Sequence, residues 1–143
     1  MLFSLAARGQ GGPGDLFEKL QYRQGNQTLP YRLLRPADAR SQEKFPLILF
    51  LHGAGVRGTD NEAHIAHITE LFSSTANRRK FPCYVVAPQC PKGVMWVTPA
   101  RGTNKVAEID LVIGLLEKIQ TYGIHKIHFL QSAGKLRESF VCS

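Results

Sequence analysis

Leu47 to Leu51 is an unbroken apolar run, Leu-Ile-Leu-Phe-Leu, that ends in His52-Gly53-Ala54-Gly55. Apolar residues without alternation predict a strand covered on both faces, as in a parallel sheet. With Pro46 the expected strand is Pro46–Leu51. The two glycines around Ala54 make a tight loop whose backbone N–H groups can face a ligand. His52 reads as a packing and hydrogen-bonding residue, because the glycines are what a ligand can approach.

Other elements take their order around this strand. Phe17–Arg23 and Thr28–Leu34 read as two strands joined by a turn at Gly25-Asn26, hence a hairpin. Pro30 points to an edge position or a strand start. After the glycine loop, Asp60 or Asn61 can cap a helix whose apolar face is Ile65, Ile68, Leu71 and Phe72. Tyr84–Ala87 is a short buried strand ended by Pro88, and Pro88 to Thr103 is a long loop holding the single tryptophan, Trp96. Long ordered loops tend to be functional. A second helix, Asn104–Tyr122, is expected with Asn104 as its cap and a stripe of Ile109, Val112, Ile113, Leu116 and Ile119, ended by Gly123. Ile124–Leu130 is a third buried strand. Strands alternating with helices imply right-handed crossovers and a parallel βαβαβ core after the hairpin.

Composition excludes several classes. The 143 residues are 43% hydrophobic and 20% charged, which fits a globular domain and not a disordered chain. No apolar stretch approaches the ~20 residues of a membrane span. The net charge of +7 has its largest cluster at Arg78-Arg79-Lys80, where a helix should end. Cations there complement the helix dipole. No aromatic residues interleave with them, so nucleic-acid binding is not expected. Met1 to Ala7 is apolar and ends in small residues but has no basic start; as the remnant of a longer signal it implies secretion or a periplasm, otherwise a cytoplasmic location. Gly9 to Gly14 reads as the end of a mobile leader spanning residues 1–15. Cys83, Cys90 and Cys142 have no metal-type spacing, and a Cys83–Cys90 bridge stays open. His64 with His67, and His125 with His128, lack the third ligand that zinc needs, so no metal is expected.

Taken together, Leu29-Pro30-Tyr31-Arg32 with Arg35-Pro36, Leu51-His52-Gly53-Ala54-Gly55 with Arg57-Gly58-Thr59-Asp60-Asn61, Ala87-Pro88-Gln89-Cys90-Pro91 and Trp96 carry a likeness. From about Tyr22 to about Phe129 the chain resembles the esterase and predicted-peptidase branch of the α/β-hydrolases, near polyhydroxybutyrate-depolymerase-like and feruloyl-esterase-like enzymes. The resemblance implies an α/β fold, a serine nucleophile acting on a small-molecule carboxylic ester or peptide through an acyl-enzyme, and no cofactor. It assigns to Ala54 a backbone N–H of the oxyanion hole, with His52, Gly53, Gly55 and Trp96 lining the site, since donors fixed beforehand stabilise developing charge.

The likeness departs at the end. The nucleophile elbow is Gly-x-Ser-x-Gly, whereas here Leu130-Gln131-Ser132-Ala133-Gly134 puts Leu130 at the first glycine position. Residues 135–143 lack the small and apolar character of a buried helix and read as an irregular tail after a partial domain at 16–134. No histidine follows Ser132, and Glu138 is the single acid beyond it. A serine without a positioned base is a poor nucleophile. The expectation is the N-terminal half of the fold, truncated and inactive as this chain, with Ser132 in the nucleophile position. The alternative is a non-catalytic fragment or pseudoenzyme with at most a binding role. An open sheet edge at Ile124–Leu130 predicts self-association.

Overall fold

The computed structural model describes residues 12–39, 43–97 and 107–131. β1 (Glu18–Gln24) and β2 (Gln27–Leu34) form the hairpin, antiparallel throughout. Gly25, at the first of two turn positions, supplies the positive φ that a tight hairpin of this kind requires. β3 (Phe45–Leu51), β4 (Tyr84–Pro88) and β5 (Ile124–Gln131) complete one sheet of order β1-β2-β4-β3-β5. β3 runs parallel to both β4 and β5, as the hairpin-plus-βαβαβ reading requires, and β2 joins β4 antiparallel.

The connection from β3 to β4 and that from β4 to β5 cross the sheet in opposite directions, so right-handed crossovers put their helices on opposite faces. α1 (Ala66–Ser73) and α2 (Thr75–Lys80) follow β3; α3 (Glu108–Ile119) precedes β5. Strand residues divide accordingly. Leu47, Leu49, Tyr84 and Val86 meet α3, together with Leu29, Tyr31 and Leu33 of β2. Phe50, Val85, Ala87 and Leu34 meet Ile65, Ile68 and Phe17 on the other face. Fully burying each leucine, isoleucine, valine or phenylalanine among them contributes about 1.5–3 kcal/mol.

Several local expectations are corrected. The buried stripe of α3 is Leu111, Val112, Leu115 and Ile119, while Ile113 is 50% exposed. The helix starts at Glu108 with Ala107 at its N-cap, so Asn104, which lies outside the described residues, is not its cap. Pro30 sits in an inner strand, yet costs no ladder bond. Its carbonyl accepts from Gln89 just past the end of the β2–β4 ladder, so the missing donor lies on that same side. The expected single helix breaks at Ser74, whose hydroxyl caps α2, and Leu71 is 55% exposed. Within the stretch read as a leader, Pro13–Leu16 form a 3-10 turn whose Pro13 carbonyl accepts from Ser73. Ile124 and Ile127, three apart, share one face because His125 is the extra residue of a bulge opposite Phe45/Pro46.

Candidate active site

β3 delivers His52 into the interior, where it is 3% exposed. Its Nε2 accepts the Cys90 backbone N–H at 2.9 Å. A nitrogen that accepts carries no proton, so Nδ1 bears it and donates to the Gly53 carbonyl at 2.7 Å. The Trp96 indole N–H donates to the His52 carbonyl at 3.2 Å, and the two rings meet edge to face with centroids 5.2 Å apart. Burial lowers the His52 pKa, opposed by its bond to Gly53 and reinforced by the Arg57 charge. Protonating Nε2 would set one N–H against another. His52 is thus held neutral, with both nitrogens committed.

That ring orients the loop. The Gly53 carbonyl and the Ala54 N–H belong to one trans peptide and point in opposite directions. Holding the carbonyl against His52 therefore turns the Ala54 N–H away from the ring. Ala54 opens the 3-10 turn Ala54–Val56, at a position where an N–H has no partner within the turn. Gly53, Ala54 and Gly55 are all exposed. A Cβ added at Gly55 would meet nothing within 4 Å, so packing does not demand that glycine; it leaves the approach to the turn open.

Behind the loop lies a polar hub. Gln89, fully buried after β4, accepts the Asn61 N–H at 2.7 Å and donates to the Val56 carbonyl at 3.2 Å and to Asp60 Oδ1 at 2.9 Å. The Gly58 N–H donates to the Cys90 carbonyl. Asn61, at a φ of 57° that asparagine tolerates, donates through its amide to the Leu20 and Tyr31 carbonyls, and Arg32 binds the carbonyls of Asn61 and Phe17. Asp60 receives the N–H groups of Glu62 and Ala63 and so caps the following turn; these bonds and that from Gln89 bring its pKa down to about 2.

The structure brings His52, Gly53, Ala54, Gly55 and Trp96 together at the carboxyl ends of β3 and β4, where open α/β sheets bind ligands. Ser132 lies outside the described residues. The strand before it ends at Gln131, paired with Leu51 of β3, so the chain leaves the two neighbouring strands at one level. His64 is fully buried and bonded to the Ala87 carbonyl, His67 is exposed, and His125 and His128 are exposed on β5. Among the described residues no three His, Cys, Asp or Glu side chains gather as metal ligands, and Cys83 and Cys90 are free thiols. Among them, too, no helix is long and apolar enough to cross a membrane. Sequence reasoning missed Gln89, Asn61 and Arg32 as the supports of the loop.

Compared with solved structures, the chain is similar to a thermostable esterase at 29% identity and a TM-score of 0.71, covering 83% of this chain and 34% of that one. It is also similar to a ferulic acid esterase from Anaeromyces mucronatus, solved with ferulic acid, at 15% identity and a TM-score of 0.54, covering 80% and 47%. The fold is that of the α/β-hydrolases. The chain spans less than half the length of either structure. No protein-family model matches it, and no curated protein does. In the α/β-hydrolase fold the loop after the third strand supplies an oxyanion N–H, and the nucleophile stands on a strand-to-helix turn.

Proposed function

We propose that these residues form the oxyanion half of a serine hydrolase acting on small carboxylic esters or peptides. Ala54 N–H is the donor to the oxyanion and Ser132 holds the nucleophile position. One observation carries the reading: His52 holds the Gly53 carbonyl at the end of β3, level with the end of β5, so that the Ala54 N–H of the same peptide faces away from that ring. In the complete reaction the serine oxygen adds to the carbonyl carbon, the oxyanion gathers charge at Ala54, and loss of the alcohol or amine leaves an acyl-serine for water to cleave. That serine needs a base. His52 cannot serve, with both nitrogens committed, and no histidine follows Ser132 in these 143 residues. The chain alone is therefore proposed to be without serine-dependent turnover, as a hydrolase fragment or pseudoenzyme.

The test compares the chain with Ser132→Ala and Ala54→Pro on p-nitrophenyl acetate and butyrate. Proline deletes the Ala54 N–H where a helix tolerates it, after a Gly53 already extended at ψ 179°. Equal background rates in all three are expected. Turnover abolished in Ser132→Ala would refute the inactivity; serine-dependent turnover of that kind that Ala54→Pro leaves untouched would refute the oxyanion role, since losing one such donor costs about 10²–10³ in rate. In the inactive case, the Ala54 amide resonance should shift on titration with butylphosphonate, a tetrahedral anion. No shift there refutes the site.

A further inference from the structure

We infer that Gln89 is the positioning residue of the Ala54 loop: its side-chain amide, held rigidly at the end of β4, sets where the oxyanion donor stands. The inference rests on the reading of Ala54 proposed above. His52 fixes which way the Gly53–Ala54 peptide faces, but its bond lies within two adjacent residues and does not anchor the far side of the loop. Gln89 does so from just past the end of β4. One oxygen and one nitrogen make three bonds, to Asn61 N–H, the Val56 carbonyl and Asp60, at both ends of the segment 56–61. Gly58 closes the arrangement: its N–H reaches the Cys90 carbonyl, and a Cβ there would press on Gln89 Nε2 at 3.2 Å. Glycine at 58 lets loop and amide approach. A shorter or apolar side chain at 89 would leave Asn61 N–H and the Val56 carbonyl without these partners, and the turn Ala54–Val56 would lose its downstream hold.

The experiment uses the 143-residue chain labelled with ¹⁵N, with Gln89→Met, which keeps the length and apolar bulk of the side chain and removes its hydrogen bonds. Expected in Gln89→Met is exchange of the Gly58 amide at least about tenfold faster, because the loop that carries its bond to the Cys90 carbonyl opens more often once Gln89 no longer ties it. Core amides of β3 and β4 should stay within about twofold of wild type. The dissociation constant for butylphosphonate, read at the Ala54 amide, should rise several-fold. Gln89→Glu, which keeps the acceptor for Asn61 but sets a carboxylate beside Asp60, should fall short of wild type at neutral pH. Unchanged exchange at Gly58 with unchanged phosphonate affinity in Gln89→Met overturns the inference. Faster exchange at Gly58, with no phosphonate shift at Ala54 even in wild type, keeps the positioning and sinks the oxyanion reading instead. If Gln89→Met does not fold, Gly58→Ala applies a milder push on the same amide. Exchange at the residue 58 amide, corrected for the intrinsic rate of alanine, should quicken and phosphonate binding weaken, and failure to move either overturns the inference.

Discussion

Acidifying from about pH 7 to pH 5 should weaken this fold by about 2 kcal/mol through one residue, His64. Its Nε2–H donates to the Ala87 carbonyl at 2.9 Å, which leaves Nδ1 a buried acceptor without a hydrogen-bond partner. The side chain is fully buried, and a proton added to Nδ1 would meet no acceptor. Burial, above the smaller effects of His52 and Arg32, brings the pKa from 6.5 down to about 4. The sign follows. Above about pH 6.5 the ring is neutral in folded and unfolded chains alike and has no effect on the balance. Below that, the unfolded chain takes up the proton first, so stability falls with pH until the folded pKa is reached. The loss amounts to about 2 kcal/mol at pH 5 and about 3 kcal/mol near pH 4, at 1.36 kcal/mol per unit. For a chain of this size, 2 kcal/mol lowers the melting temperature by roughly 6 °C. Urea unfolding followed by circular dichroism at several pH values measures it. In His64→Gln the amide nitrogen can keep the bond to Ala87 and nothing titrates there; the slope should flatten by that amount and retain the smaller part from His52, whose pKa burial also lowers. Equal slopes in the two proteins would refute the reasoning.

Gly123 ends the 3-10 turn Gln120–Tyr122 that follows α3, at a φ of 79°, with the Glu43 carbonyl 3.3 Å from where a Cβ would stand. Gly123→Ala should cost about 1–2 kcal/mol in thermal unfolding, and an unchanged melting temperature would count against the strained turn. Among the described residues β5 pairs with β3 alone, and Phe129 within it is 43% exposed. The chain should therefore self-associate in size-exclusion chromatography with light scattering, and Phe129→Lys should return it toward monomer. A wild-type monomer at tens of micromolar would remove that expectation.

The sheet was legible because each strand announces itself locally. Leu47–Leu51 and Tyr84–Ala87 are apolar throughout, and Gly25-Asn26 separates the two arms of the hairpin. The face of α3 was not. Residues 107–119 hold so many apolar side chains that two stripes, one through Ile109 and Ile113 and one through Leu111 and Leu115, both satisfy a helical period. The choice between them depends on how the helix lands on the sheet, which a tertiary contact decides. Gly114 belongs to that contact: a methyl at that position would collide with the Tyr22 hydroxyl of β1. β5 was legible as a strand but not as the buried one expected: His125, Lys126, His128 and Phe129 are exposed on it, and the bulge at His125 is what lets Ile124 and Ile127 share the covered face.

The glycine loop was legible for the same local reason, and its supports were not, for a physical one. Gln89 lies 28 residues from Asn61 and 33 from Val56 along the chain, so nothing periodic links them. A polar residue bounded by prolines reads as surface. Here it is buried because three partners from a distant loop satisfy it, the condition under which a polar side chain can be buried at little cost. The segments Arg57-Gly58-Thr59-Asp60-Asn61 and Pro88-Gln89-Cys90, which carried the likeness in the sequence, hold the loop in place by these bonds. A segment built of such mutually dependent bonds tolerates few substitutions whatever chemistry it serves. Resemblance in it therefore reports the shape of the loop, and whether Ala54 stabilises an oxyanion is decided by measurements at its own amide.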